Sequence, residues 1–347
     1  MHFRGIIKLI QCAILLLTII IPNYSNATEV STSSNAVVFS YHRVGENRYP
    51  STNVTIEQFE AHLNELEAGG YSVLPIPKII MALKNRKSLP DRTVGISFDD
   101  AYFSIYETAW PRLKSYGFPF TIFIATDPID RKSANFMTWT QIQEMAKAGV
   151  NIGSHTGSHL HMPLETNINN LEEIERSQKR LEMALGIRPN IFAYPYGETS
   201  LNTQIIIKES EFIAAFGQHS GAFDQTSEIF NLPRFSMNED YAGIERFRLA
   251  ANTLALQITD ITPADPFIAS NNPPAIGFTI ISKTKSLNQL SCFFSHTGQT
   301  KIELLSNKRV EIRSKKPFPK GRTRLNCTLP GIKGRWHWFG RQFYSPS

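Results

Sequence analysis

The sequence predicts an α/β fold with a mostly parallel sheet, followed by a small β-rich region. Three observations carry this. Strand-like and helical segments alternate with short connections from Val37 to Leu254, the pattern of repeated βα units. That body, about 240 residues long, suits a barrel of the β/α type. Beyond Ile258 no helical period is visible, and short strand-like segments alternate with turns, which reads as a small β-sandwich.

The elements follow in order. Val37–Tyr41 is a short apolar run and reads as a strand. Ile56–Ala68 has helical spacing, with Thr55 as N-cap and Gly69-Gly70 as the stop. Val94–Phe98 is a buried strand, followed by a helix running through Leu113 to Gly117. Strands are expected at Phe120–Ile124, Val150–Ile152 and Ile191–Tyr194. Helices are expected at Thr140–Ala148, closed by Gly149, and at Asn170–Leu185, closed by Gly186. Further helix and strand candidates fall at Thr203–Ser210, Ile213–Phe216 and Glu245–Leu254. In the tail, Ile276–Ser282, Leu290–Phe294, Lys301–Leu305 and Arg309–Arg313 read as strands.

This gives a predicted organisation in four parts. Residues 1–27 read as a signal peptide: Arg4 and Lys8 precede an apolar run from Leu9 to Ile21, and Ser25-Asn26-Ala27 offers a cleavage site. The run is short for a membrane span, which needs about 20 residues. Residues 28–257 form the α/β domain, 258–275 a Pro- and Asn-rich linker, and 276–347 a basic β-rich domain. An exported chain, in the periplasm, the cell envelope or outside the cell, permits disulfides, and Cys292 and Cys327 are the pair left after cleavage.

The net charge of +6 conceals an asymmetry. Residues 276–347 hold 14 Lys and Arg against Glu303 and Glu311, while residues 28–275 carry a net −8. A basic tail on an acidic body suggests contact with an anionic cell-envelope polymer or lipid head group, although a solvated β-surface would read the same. Nucleic acid is a poor partner for an exported protein. The aromatic and basic run Arg335, Trp336, Trp338, Phe339, Arg341 and Phe343 reads either as a binding strip or as one buried face of a strand.

Three clusters fall at the C-terminal ends of predicted strands, the active-site face of a β/α barrel. Ser97-Phe98-Asp99-Asp100 ends a strand with adjacent carboxylates, costly to bury without partners. His155-Thr156-Gly157-Ser158-His159 places two imidazoles four residues apart, able to converge on one ion if the segment turns. Ala193-Tyr194-Pro195-Tyr196-Gly197 makes a rigid turn with exposed backbone donors. Each alone has an ordinary reading: solvated aspartates or an N-cap, a chance histidine pair, a turn. Together Asp100, His155 and His159 give two nitrogens and one carboxylate, with positions open to water and substrate. Zinc fits best, with cobalt(II) or nickel(II) as further fits, and the same ligands also hold iron(II).

These motifs, in this order and spacing, resemble the three-motif signature of the polysaccharide deacetylases, the NodB-type carbohydrate esterases. The resemblance spans roughly residues 35 to 255. Tyr41-His42-Arg43-Val44, the stretch from Phe59 to Gly69-Gly70-Tyr71, and Trp139 are similar to the branch that acts on exported poly-N-acetylglucosamine. The resemblance implies a distorted (β/α) barrel and metal-dependent removal of N-acetyl groups, with release of acetate, from an N-acetylglucosamine polysaccharide or peptidoglycan. It makes Asp99 the base, Asp100, His155 and His159 the metal ligands, and the Tyr196 N–H an oxyanion donor. Pro195 and Trp139 fall with the substrate site, and His42 could line it.

Two departures stand out. Many relatives carry an Arg two residues before the Pro of the third motif, where this chain has Ala193; Arg234 is the candidate replacement. No Leu-x-His late in the barrel supplies the acid, so His219 and His161 are candidates. A zinc peptidase would need Glu after the first His, where Thr156 stands. An iron oxygenase would leave Asp99 without a task. A non-catalytic glycan-binding protein of the same fold is the alternative of another class.

Overall fold

The structure, a computed structural model, describes residues 34–346 apart from 283, 285 and 286. The leader reading at Arg4, Lys8 and Ala27 lies outside the described residues.

Six parallel strands follow one another across the main sheet in chain order: β1 (Asn35–Tyr41), β2 (Thr93–Asp99), β3 (Thr121–Ile124), β4 (Asn151–Ser154), β5 (Ile191–Ala193) and β6 (Ala214–Phe216). Parallel neighbours need crossovers, and helices supply them. These are α1 (Ile56–Ala68) and α2 (Ile76–Lys84) after β1, and α3 (Trp110–Ser115) after β2. Then come α4 (Trp139–Lys147), α5 (Asn167–Leu185) and α6 (Leu201–Glu209). α7 (Ile244–Ala251) packs back on β1, with Phe247 stacked on Phe39 at 4.3 Å.

Local chemistry sets the helix ends. Thr55 and Thr138 close capping boxes with Gln58 and Gln141. Gly186 ends α5 in the left-handed region, φ 72°, which costs glycine nothing. α2 is an element that the sequence reading does not include, and it carries Pro77. That proline lies in the first turn, where its missing N–H has no intrahelical partner to lose, while Ile76, Ile79, Ile80 and Leu83 are buried. The helix expected after β2 begins as a π-helical turn, Ile105–Ala109, before α3.

One short segment brings the first and last strands together. Leu232 bridges to Phe216 on β6, and β7 (Phe235–Ser236) pairs in parallel with Phe39 and Ser40 on β1. Pro233 and Arg234 lie between them.

The tail forms two packed sheets, as expected of a sandwich. One orders β8 (Leu254–Ala255), β16 (Trp336–Ser345), β15 (Gly321–Pro330), β11 (Ser291–Phe294) and β12 (Gly298–Thr300). The other orders β9 (Ile258–Thr262), β10 (Ala275–Ile280), β14 (Arg309–Arg313) and β13 (Ile302–Leu304). Phe278, Ile312, Leu325 and Phe343 share the core between them. The Cys292–Cys327 disulfide joins directly opposed residues of β11 and β15.

The segment read as a linker is partly sheet. Ile258–Thr262 pairs antiparallel with β10, because Ile258 and Ile261 pack on the sandwich core. Just before it, Leu254 and Ala255 pair with His337 and Trp338. Barrel and sandwich belong to one compact unit, Ser33–Ser347. Among the described residues no helix is long and apolar enough to cross a membrane.

Candidate metal centre and active-site cleft

The barrel brings the three motifs to one point because each follows the C-terminal end of a strand. Asp99 ends β2, His155 follows β4, and the Pro195 turn follows β5. Asp100 Oδ1 lies 3.5 Å from His155 Nε2 and 3.3 Å from His159 Nε2. The ligand atoms of the trio all lie within 4.8 Å of one another and can hold a metal ion.

Two observations test that fit. His155 is fully buried and its Nδ1–H donates to the Ala193 carbonyl at 2.6 Å, which aims Nε2 at the centre. That Nε2 is buried with no hydrogen-bond partner among the described residues, a cost that a cation would remove. Burial, then the neighbouring His155, lowers the His159 pKa to about 4, so at neutral pH this imidazole is the unprotonated form that ligates. The residues fit a divalent ion with open positions.

The backbone here is unusual. Asp100, Ala101, Thr156, His159 and Tyr196 all have φ between 59° and 72°. Non-glycine residues held there cost of order 1–3 kcal/mol each and persist only where the surroundings enforce them. Such clustering is a mark of functional sites.

Asp99 sits beneath the trio, fully buried. Arg234 Nη1 and Nη2 donate to its two oxygens at 2.7 and 2.8 Å. Burial would raise the Asp99 pKa, but Arg234, helped by His155 and His42, holds it well below the usual carboxylate range. Arg234 is thus the cation paired with Asp99. His42 Nε2 lies 3.9 Å from Asp99 Oδ2.

Above this centre opens a cleft of about 800 Å³, lined by His42, Asp100, His159 and Tyr196 among others. Tyr196 packs edge-on to His159 at 4.3 Å and stacks on His161 at 4.1 Å. His161 in turn pairs with buried Glu198, Nδ1 to Oε2 at 2.6 Å.

Three predicted site residues are placed elsewhere. His219 is 5% exposed and lines a separate cavity of about 290 Å³ behind the cleft. Burial, then Arg341, Arg324 and Arg234, lowers its pKa to about 3. His219 is absent from the cleft lining. Trp139 begins α4, donates its indole N–H to Asp130 at 2.7 Å and lies beneath the Arg180 guanidinium, outside the cleft lining. Pro195 is buried and shapes the turn that presents Tyr196.

The sequence reading missed the far wall. Arg322, Arg324, Asn326 and Trp338, all from the tail, line the same cleft. Gln342 Nε2 donates to the Tyr196 carbonyl at 3.0 Å. The signal was the alternation of Arg322, Arg324 and Asn326 along one strand face. In the aromatic run, Phe343 is core and Phe339 packs against the core, Trp338 faces the barrel, and Trp336 is exposed.

The defining sequence pattern of the family described as polysaccharide deacetylase matches residues 86–214, which include Asp99, Asp100, His155, His159 and Tyr196. Over those residues the chain is similar to the polysaccharide deacetylases. The Bacillus subtilis protein YxkH is 28% identical over 206 residues, 59% of this chain and 72% of that protein. The Staphylococcus aureus poly-beta-1,6-N-acetyl-D-glucosamine N-deacetylase is 25% identical over 235 residues, 60% of this chain and 80% of that protein. Among solved structures, the Streptococcus pyogenes deacetylase PplD in complex with acetate superposes with a TM-score of 0.59 at 21% identity, over 63% of this chain and 99% of that one. That likeness establishes the deacetylase fold. Arg234 and the tail strands lie beyond the matched pattern.

Proposed function

We propose that the protein is a metal-dependent deacetylase that hydrolyses N-acetyl groups of an N-acetylglucosamine-containing polysaccharide, releasing acetate and leaving a free amine. The observation that carries this is the pairing of two adjacent carboxylates with separate tasks: Asp100 faces His155 and His159, while Asp99 is locked to Arg234. A binding protein would need only the first.

Asp100, His155 and His159 would hold the ion, and zinc suits two imidazoles and a carboxylate best, with cobalt(II) or nickel(II) as alternatives. A divalent ion there supplies Lewis acidity towards the acetyl carbonyl and towards water. Asp99, kept ionised and oriented by Arg234, accepts the proton from the attacking water. The Tyr196 N–H, carried by the turn Pro195–Gly197, donates to the developing oxyanion. His42 is the cleft-lining histidine outside the ligand trio, and it is placed to protonate the departing amine.

The glycan partner follows from the Staphylococcus aureus relative's name, and export follows from the leader pattern and the disulfide. The test is acetate release from N-acetylglucosamine polymers, with zinc or chelator, for wild type and Asp99→Asn. Metal-dependent release that collapses in the variant is expected. Folded, zinc-loaded protein that binds these glycans and releases no acetate would favour the non-catalytic alternative.

A further inference from the structure

The wall that the tail adds to the cleft is cationic. β15 turns Arg322, Arg324 and Asn326 to the cleft, while Thr323, Leu325 and Cys327 are buried behind them. Arg246, from α7, lines the opposite side. Among the described residues lining the cleft, Asp100 is the single carboxylate, and it belongs to the metal trio.

These guanidiniums are poorly compensated. Arg324 donates Nε to Gln342 at 3.0 Å and has no carboxylate within 4.0 Å among the described residues. Arg246 donates to the Tyr241 carbonyl at 2.6 Å and likewise lacks an acidic partner among them. Arg322 reaches Glu198 at 3.7 Å, but that carboxylate is already bonded to His161. Burial, then the adjacent Arg322, lowers the Arg324 pKa. Arg324 and Arg246 are partly buried, and such cations without counterions are costly unless a ligand supplies the negative charge.

The reaction sharpens the point. Each deacetylation creates an ammonium group. A neutral amino-sugar polymer gains positive charge with each turnover inside a cleft lined by three arginines, which disfavours its product there. A polymer carrying carboxylates keeps a net negative or neutral charge as its amines appear.

We infer that the cleft takes an acidic glycan, one in which the N-acetylated sugar neighbours a sugar bearing a carboxylate, and that Arg322 and Arg324 of the tail read that carboxylate. The carboxylate comes either from a lactyl ether or from a uronic acid, since both offer the planar acceptor pair that a guanidinium grips. This rests on the reading of the cleft as a glycan deacetylase site, and it makes the tail a specificity element.

The test separates binding from turnover. In the full chain carrying Asp99→Asn, calorimetry compares N-acetylated oligosaccharides bearing lactyl or uronate carboxylates with the same oligosaccharides after carboxyl reduction. At low salt the acidic forms of one source or the other are expected to bind about tenfold more tightly, with the preference shrinking as salt rises. Arg322→Gln with Arg324→Gln should bring the ratio towards one, and Arg324→Lys should restore part of it. In the active chain the ratio of kcat/KM values should follow the same order. Equal affinity for acidic and reduced forms, or a double variant that weakens both by the same factor, overturns the inference. An acidic preference in binding without acetate release from any glycan sinks the deacetylase reading and leaves the recognition standing. Turnover of neutral polymers with no acidic preference does the reverse.

Discussion

Arg234 and Asp99 face each other through two parallel hydrogen bonds of 2.7 and 2.8 Å, and neither side chain reaches solvent. They lie 135 residues apart. The barrel joins them because the segment between β6 and β1 carries Arg234 under the end of β2. In the matched family pattern no residue beyond 214 takes part, so this chain supplies its orienting cation from outside it.

Arg234→Ala leaves Asp99 buried and unpaired. Breaking one partner of a buried pair typically costs about 3–5 kcal/mol, to be read from urea unfolding. Arg234→Lys keeps the charge but loses the fork; it should fold, with kcat for acetate release reduced about 10²-fold by misplacement of the base.

Zinc at about 100 times its Kd should raise unfolding stability by about 2.7 kcal/mol. His155→Gln or Asp100→Asn should abolish the increment, and differential scanning calorimetry with and without chelator reads it directly. An unchanged transition on zinc addition would count against the ligand assignment.

His62 gives a pH-dependence removed from the cleft. It is buried, stacked on Phe247 at 4.0 Å, with Nδ1 against the Tyr41 hydroxyl and Nε2 against the Ala242 carbonyl. Burial lowers its pKa to about 4 from 6.5. The unfolded chain binds the proton first, so stability is full above pH 6.5 and falls as pH drops towards 4. The loss amounts to about 3 kcal/mol from this group. His219, also depressed, acts in the same direction. His62→Gln should flatten the slope of unfolding free energy between pH 6.5 and 4, whatever it does to the absolute value.

Gly340 permits the sheet of the tail to reach the barrel: a Cβ there would lie 1.9 Å from the Ser220 carbonyl oxygen. Gly340→Ala should therefore push β16 outward, costing about 1–3 kcal/mol as overpacking does. It should also weaken acidic-glycan binding along with the displacement of β15.

Much of the site was readable one residue type at a time. Adjacent aspartates after an apolar strand, a histidine pair at helical spacing and a Pro-Tyr-Gly turn each fix local chemistry, and the βα alternation puts strand ends on one face. Arg234 could be proposed only as a lone cation beside a strand. The sequence reading offered His219 and His161 for the acid and His42, Pro195 and Trp139 for the sugar site, because types and order do not say which side of a strand a residue faces or which wall it joins.

By itself the sequence determined the strand and helix order, the cap residues, the metal-ligand types and the cysteine pair, since all are set by local periodicity and chemistry. Tertiary structure alone decided that the tail completes the cleft. Leu254 and Ala255 pair with β16 more than 80 residues later, Gln342 bonds to Tyr196, and Arg322 and Arg324 come to line one cleft with His42. Such contacts depend on sheet register and on the close approach at Gly340, quantities that no local pattern encodes.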